Sequence, residues 1–242
     1  MKNRGFTLIE MVITIVIGSI IMLGIAAYLR LGAQGYSDSI ARQRLQTQAQ
    51  FVIEKMSREI RHAVPNSFFI DENEKNCLMF MPIEHSGFYA ITGNDIQFVV
   101  GFFGKNAPDL DSSLKMVINP TRLSDLSSST HSVDVGALSP DLDKAYKIIN
   151  GASSVTSRSV SNRHYLYTPS KLVKYCFVGT QIQRNSEIIA DNLVYADDQS
   201  QSYFKYDDTS LHRGGLVHLR FVFEQSGESS VYQQDVQVLN VP

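Results

Sequence analysis

The chain has 242 residues, of which 43% are hydrophobic and 19% are charged, and its formal net charge is −2 at pH 7. This balance excludes a strongly basic surface, so no nucleic-acid partner is inferred. About 210 residues remain beyond an N-terminal apolar segment, which is enough for one sizeable domain with a hydrophobic core.

The N-terminal segment combines a short basic leader with a long apolar run. Lys2 and Arg4 precede Gly5, and the apolar run extends from Phe6 to Leu29. A helix of this length, rising about 1.5 Å per residue, crosses the roughly 30 Å hydrocarbon core of a bilayer. The positive-inside rule places the leader in the cytoplasm and the rest of the chain on the other side.

A single carboxylate, Glu10, interrupts the apolar run. An ionisable group in a membrane segment costs roughly 2.5–3.5 kcal/mol on insertion scales and indicates a function with a partner. If the chain is cut after Gly5, the new amino group of Phe6 lies about one helical turn from Glu10. The two opposite charges then neutralise each other, within one chain or between neighbours. The pattern predicts a processed helix that packs against similar helices.

The run G-F-T-L-I-E at residues 5–10, followed by an uncharged helix, resembles the N-terminus of type IV prepilins and type II secretion pseudopilins. The resemblance implies that a prepilin peptidase cleaves between Gly5 and Phe6 and that Phe6 becomes N-methylated. It implies that Glu10 meets the N-terminal amine of an adjacent subunit. The implied partners are the prepilin peptidase, other pilins or pseudopilins contacted through the N-terminal helix, and the inner membrane.

Two simpler interpretations of the N-terminus fit less well. A secretory signal peptide has an apolar region of only about 7–15 residues. A plain signal anchor requires neither Glu10 nor a glycine before the first apolar residue.

The helix is predicted to continue to about Val64. Apolar residues recur every three or four positions, which is typical of one face of an α-helix. Pro65 ends the run, because the residue before a proline is disfavoured in helical geometry. The apolar positions are Ala41, Leu45, Ala49, Val52, Met56, Ile60 and Ala63.

Beyond Pro65 the sequence changes to short strands separated by turn signals. We therefore expect an α+β fold of type IV pilin-like architecture, with a mostly antiparallel sheet on the amphipathic half of the helix. Residues 105–163 are expected to form an irregular insertion, with a short helix at 141–150. The predicted strands cover residues 77–81, 88–92, 96–103, 172–178, 180–184, 202–206, 217–224 and 231–239, and a hairpin at Ser226-Gly227-Glu228 joins the last two.

Four segments follow from this pattern. Residues 1–5 form a cytoplasmic leader peptide, and residues 6–29 form a transmembrane and assembly helix. Residues 30–64 form its amphipathic extension. Residues 65–242 form a periplasmic β-rich head that contains the irregular insertion.

Cys77 and Cys176 are the only cysteines. In an oxidising compartment such a pair predicts a disulfide. The alternative is two separate buried thiols, since free cysteine is often buried.

No pattern in the head predicts catalysis or a cofactor. The six histidines are scattered, without the close pairing of a zinc site. The acidic clusters Asp109/Asp111, Asp191/Asp197/Asp198 and Asp207/Asp208 follow no EF-hand spacing, and solvated loops are expected there. We expect no enzyme activity, no metal, no cofactor and no small-molecule substrate.

Residues 170–242, with a helix-like segment at 188–196, are similar to the heads of minor pilins grouped with the secretion pseudopilin J and its pilus counterpart W. The ending 235–242 is similar to the O subunit of the mannose-sensitive haemagglutinin (MSHA) pilus system. This resemblance implies a minor pilin of a Gram-negative bacterium that primes a fibre and lies near its tip. A type II secretion pseudopilin, a tip adhesin that binds through residues 105–163, and a single-pass periplasmic sensor or enzyme stay open as alternatives.

Overall fold

A computed structural model describes residues 6–71, 74, 76–102, 104, 106–196, 198, 200–209, 214–225 and 227–238. The chain divides into two compact units, Met1–Gln48 and Ala49–Pro242.

Helix α1, Leu8–Arg61, contains 54 residues and begins in the first unit. The predicted long helix is confirmed, with ends slightly inside the expected bounds of 6 and about 64. At its end, the N–H of His62 donates to the carbonyls of Arg58 and Glu59, at 3.2 and 3.1 Å. This shared hydrogen bond tightens the last turn. Such bonds are common at helix ends, where the last carbonyl groups have no N–H partner within the helix.

In the second unit, one face of α1 is part of the core. Ala49, Val52, Met56 and Ile60 have no solvent exposure, whereas Glu54 on another face is exposed. The predicted spacing of three or four residues is therefore the spacing of the buried face. Burying a side chain such as that of Met56 or Ile60 contributes about 1.5–3 kcal/mol.

The described residues of the second unit also form thirteen strands, which confirms the expected α+β fold with a mostly antiparallel head. The strands divide into three sheets, and the sequence did not predict this division. We call them the disulfide sheet (order β1-β8-β9-β10), the six-stranded sheet (order β5-β4-β7-β2-β3-β6) and the C-terminal sheet (order β11-β12-β13). The strands are β1 Cys77–Phe80, β2 His85–Thr92, β3 Asp95–Val100, β4 Lys115–Val117, β5 Ser132–Asp134, β6 Tyr146–Ile148, β7 Arg163–Tyr167, β8 Val173–Val178, β9 Gln181–Arg184, β10 Glu187–Ala190, β11 Tyr203–Asp207, β12 Leu216–Gln225 and β13 Glu228–Gln237. Two short helical segments are α2, Ser124–Ser127, and a 3₁₀ turn at Gly151–Ser154.

The region 105–163, expected to be an irregular insertion, contains short strands between its irregular segments. Strands β4, β5 and β6 lie within it and complete the six-stranded sheet. The helix expected at 141–150 is replaced by β6, where Tyr146 is fully buried and stacks on Phe98 with ring centroids 5.1 Å apart. Strands of three residues are too short to show an alternating pattern in the sequence. The abundant serines and prolines, which are typical of loops, therefore led to the prediction of an irregular region.

The prediction of a helix-like segment at 188–196 is wrong, because strand β10 occupies the beginning of this segment. Strands β9 and β10 form a hairpin in which Arg184 pairs with Glu187. The two loop residues, Asn185 and Ser186, both have positive φ, at 48° and 73°. This is the backbone of a type I′ turn, which matches the twist of the two strands it joins.

The C-terminal sheet carries the alternating core pattern expected from the sequence. Val217, Leu219, Phe221 and Phe223 on β12 are at most 1% exposed. The final hairpin is present, since Gln225 pairs with Glu228. Residue 226 of its loop, residue 103 of the third predicted strand and residue 239 of the last one lie outside the described residues.

Aromatic side chains join the disulfide sheet to the C-terminal sheet. Phe177 on β8 stacks against Phe204 on β11 with ring centroids 4.4 Å apart. It also stacks on Tyr195 at 5.1 Å. Such pairs contribute about 0.5–1.5 kcal/mol beyond the area that they bury.

The predicted disulfide is present in the structure, where Cys77 and Cys176 are bonded. The two residues lie directly opposite each other on β1 and β8. The bond ties the first strand of the unit to a strand 99 residues further along the chain. The alternative of two separate buried thiols is thereby excluded.

A charged network joins α1 to the disulfide sheet. Tyr175 Oη and Arg184 Nε donate to Glu59 Oε2, at 2.9 and 2.8 Å, and Lys55 Nζ lies 3.0 Å from Glu59 Oε1. Burial alone raises the pKa of Glu59, but these three donors outweigh it and the pKa lies below its ordinary value of 4.5. The carboxylate therefore holds the end of the helix to two strands.

Replacing both cysteines by alanine should destabilise the second unit. In the chain-entropy model, closing a loop of about 100 residues contributes up to about 4.7 kcal/mol. Urea unfolding of the full chain in detergent, followed by circular dichroism, measures the loss. Reductant should shift the midpoint of the wild type toward that of the variant and leave the variant unchanged; a shift in both would contradict the assignment.

Glu59→Gln should lower the free energy of unfolding by about 2 kcal/mol, because its charge-assisted hydrogen bonds are lost and the guanidinium of Arg184 loses its carboxylate partner. Glu54→Gln, an exposed neighbour, should change it by less than about 0.5 kcal/mol. Since folding depresses the pKa of Glu59, its contribution is full above pH 4.5 and is lost as the pH falls through the folded pKa. Urea titrations at several pH values should therefore show the wild type and Glu59→Gln converging at acid pH. A gap that stays constant with pH would contradict the role of the charge.

Candidate functional site at the start of helix α1

The candidate site is the first turn of α1, which Thr7 caps. The Thr7 Oγ1 atom accepts a hydrogen bond from the N–H of Glu10 at 3.4 Å. The Thr7 carbonyl accepts from the N–H of Met11 at 3.2 Å. Thr7 is therefore the N-cap residue and Glu10 is the third residue of the helix.

This geometry adds a local role for Thr7 that was not predicted from the sequence. A threonine followed three residues later by a glutamate is the capping-box sequence pattern, and the structure shows its threonine half, in which Thr7 Oγ1 accepts from the N–H of Glu10. A carboxylate in the first turn also interacts favourably with the helix dipole. The T-x-x-E run at 7–10 is the sequence signal for this cap.

The structure places the other predicted site residues as follows. Phe6 precedes the cap and is 79% exposed. Gly5, and with it the predicted scissile bond, lies outside the described residues. The carboxylate of Glu10 is exposed and has no partner among the described residues. Cys77 and Cys176 lie in the second unit and belong to a structural bond, not to this site.

The surface that follows the cap is mostly apolar. Among the described residues, α1 is the one helix long and apolar enough to cross a membrane. Its apolar window is not buried in the chain, which distinguishes it from the core helix of a soluble protein. Exposure is 49–84% for Leu8, Ile9, Met11, Val12, Ile13, Ile15, Val16, Ile17, Ile20, Ile21, Met22, Leu23, Ile25, Tyr28 and Leu29. A surface of this kind requires lipid or other apolar helices around it.

Polar side chains within this segment are satisfied by the helix itself. Thr14 Oγ1 donates to the Met11 carbonyl at 2.9 Å, and Ser19 Oγ donates to the Val16 carbonyl at 2.8 Å. Glu10 is therefore the polar side chain whose charge needs a partner from outside. A Cβ atom added at Gly18 or Gly24 would touch nothing within 4 Å, so these glycines leave space for another helix.

Titratable groups in the second unit have structural explanations. His218 lies between two carboxylates, with Nδ1 2.8 Å from Asp235 and Nε2 3.1 Å from Asp207, and it links all three strands of the C-terminal sheet. Hydrogen bonds from Lys205 and His218 lower the pKa of Asp207 to about 2. Burial lowers the pKa of His164 to about 4, so this residue is neutral in the core. Within the described part of the chain, no three His, Cys, Asp or Glu side chains are placed to hold a metal ion.

Residues 1–26 match the family model of the prokaryotic N-terminal methylation motif. The motif indicates a type IV pilin-like prepilin. It supports processing by a prepilin peptidase and assembly with other pilins. The matched residues include Gly5, Phe6, Thr7 and Glu10. Comparison with curated proteins and with solved structures gives no match.

The motif and the fold agree. A long N-terminal helix with an apolar first half, followed by an antiparallel β-sheet head, is a type IV pilin-like arrangement. The apolar first half of α1, together with the motif, indicates membrane anchoring, as in a pilin-like subunit.

Proposed function

We propose that this protein is a minor pilin or pseudopilin that is cut between Gly5 and Phe6 and N-methylated on Phe6. The mature subunit assembles into a type IV pilus of the MSHA type, or a related fibre, and helps to prime it. The observation that carries the proposal is the capped apolar helix with one unpartnered carboxylate inside the matched motif.

The apolar segment 6–29 has two uses in this proposal. It holds the precursor in the inner membrane and then joins the helical core of the fibre. The exchange is energetically feasible because lipid tails and neighbouring apolar side chains are similar surroundings for an apolar helix. The leader 1–5 stays cytoplasmic until it is removed, and residues 65–242 form the periplasmic head.

Glu10 then sets the axial register between subunits. The backbone N–H of Glu10 donates to Thr7 Oγ1, but this bond does not compensate the negative charge of the Glu10 side chain. An uncompensated charge in an apolar core is strongly destabilising, whereas the amine of a neighbouring Phe6 offers a cation. A subunit at the wrong height leaves both charges unpaired, so only one register is favoured.

The disulfide supports a head outside the cytoplasm. Bonds of this kind persist in oxidising compartments such as the bacterial periplasm. The position near the fibre tip rests on the resemblance of residues 170–242 to minor pilins.

Glu10→Val should insert in the membrane and be cleaved, yet reduce the number of fibres to near that of a strain lacking the protein. Electron microscopy counts the fibres, and immunoblotting checks cleavage. Thr7→Ala is the matched control, since it removes the helix cap and keeps the carboxylate, and it should give close to wild-type numbers. Wild-type numbers from Glu10→Val would contradict the proposal. Equal losses in both variants would assign the effect to capping.

A tip adhesin is the second candidate, favoured by exposed apolar side chains in the region 105–163. Leu142 and Ile149 are fully and 74% exposed. Deleting the region is unsuitable as a test, because it would remove β4, β5 and β6 from their sheet. Leu142→Ser and Ile149→Ser should abolish attachment with fibres intact if this candidate is correct, and unchanged attachment would contradict it.

A further inference from the structure

Among the described residues, strand β13 is an edge of the C-terminal sheet. It is ten residues long and pairs with β12 along its whole length without a register shift. In the sheet order it is the last strand. The side chains of Ser229, Val231, Gln233, Asp235 and Gln237 are exposed.

The polar backbone groups on the free side can be assigned from the ladder. The N–H of Val238 donates to the Gly215 carbonyl at 2.9 Å, so residue 238 faces β12. Because antiparallel pairs alternate between bonded and non-bonded positions, the even-numbered residues of β13 face β12. The N–H and C=O groups of the five odd-numbered residues, 229 to 237, therefore point away from the sheet. None of these N–H groups has a backbone partner among the described residues.

This edge has little of the usual protection against pairing, since Glu228 and Asp235 are its only charged side chains. Natural edge strands are guarded by lysine, proline, bulges or short length. Strand β13 contains no lysine, arginine or proline and runs for ten residues without a bulge. It therefore presents a regular template for another strand.

We propose that the occupant is β13 of a second copy of this chain, paired antiparallel about a two-fold axis at Gln233. Gln233 is the middle one of the five outward-facing residues, so this register pairs all five with their counterparts. Ser229 then lies opposite Gln237, and Val231 lies opposite Asp235. The result is a continuous sheet that contains the C-terminal sheets of both copies.

Charge selects this register over its neighbour. No two carboxylates are directly opposite each other when the axis lies at Gln233. An axis at Asp235 sets the two Asp235 carboxylates against each other and leaves only three outward pairs. Like charges in direct opposition destabilise a pair of strands. The interface is isologous, as in most two-fold dimers.

A single cysteine tests this pairing in the full chain in membranes. The two natural cysteines are bonded to each other, so an introduced cysteine is the one free thiol. Opposite residues in a bonded pair are about 5.5 Å apart between Cα atoms, which suits a disulfide. Gln233→Cys should give a disulfide-linked dimer under mild oxidation. Gln237→Cys is the control, because its two copies are separated by about 27 Å along the strands.

The register is tested by mixing. Ser229→Cys and Gln237→Cys should each give no disulfide-linked dimer alone and should form a linked heterodimer when both chains are present. Non-reducing electrophoresis with differently sized tags resolves the products. The proposal is overturned if Gln233→Cys forms no more dimer than Gln237→Cys, if the mixture gives no heterodimer, or if Gln233→Cys links to a different protein instead.

Discussion

The negative charge of Glu10 constrains how the apolar half of helix α1 can pack against other helices. Residues 11–29 contain no charged side chain, and Glu10 lies at their beginning. The helix cap uses the backbone N–H of Glu10 and leaves its carboxylate unpartnered among the described residues. A carboxylate in this position is tolerable in water or at a headgroup layer, but it needs a cation once other apolar helices surround it. A freshly exposed amino terminus is such a cation.

Helix α1 meets two different environments along its length. Its first half exposes apolar side chains all round, which only lipid or similar helices can cover. Near its end, one face is fully buried, and Glu59 accepts hydrogen bonds from Tyr175 and Arg184. The disulfide joins β1 to β8, and stacked aromatic rings join the disulfide sheet to the C-terminal sheet.

The features that sequence could predict are those with a long repeating signal. Helix α1 and strand β12 extend over 54 and ten residues, so the spacing of their buried positions is clear in the sequence. The two cysteines and the motif at residues 5–10 are recognisable from residue identity alone, without any repeating pattern. These signals sufficed for the fold class and for the candidate site.

The errors have physical causes. Strands β4, β5 and β6 have three residues each, and their place in a sheet is fixed by partners far away in the chain. Strand β10 depends on a two-residue turn with positive φ, which Asn185 and Ser186 signal only weakly. The division into three sheets depends on packing between strands, which no local pattern records. The capping role of Thr7 was recognisable in T-x-x-E but was hidden by the prominence of Glu10.

The most direct test of the central claim is the mass of the mature N-terminus. The full-length chain should be expressed in a host that has a prepilin peptidase, purified from membranes and analysed by mass spectrometry of its N-terminal peptide. The account predicts a chain that begins at Phe6 and carries one added methyl group. A chain that retains residues 1–5 in such a host would contradict it.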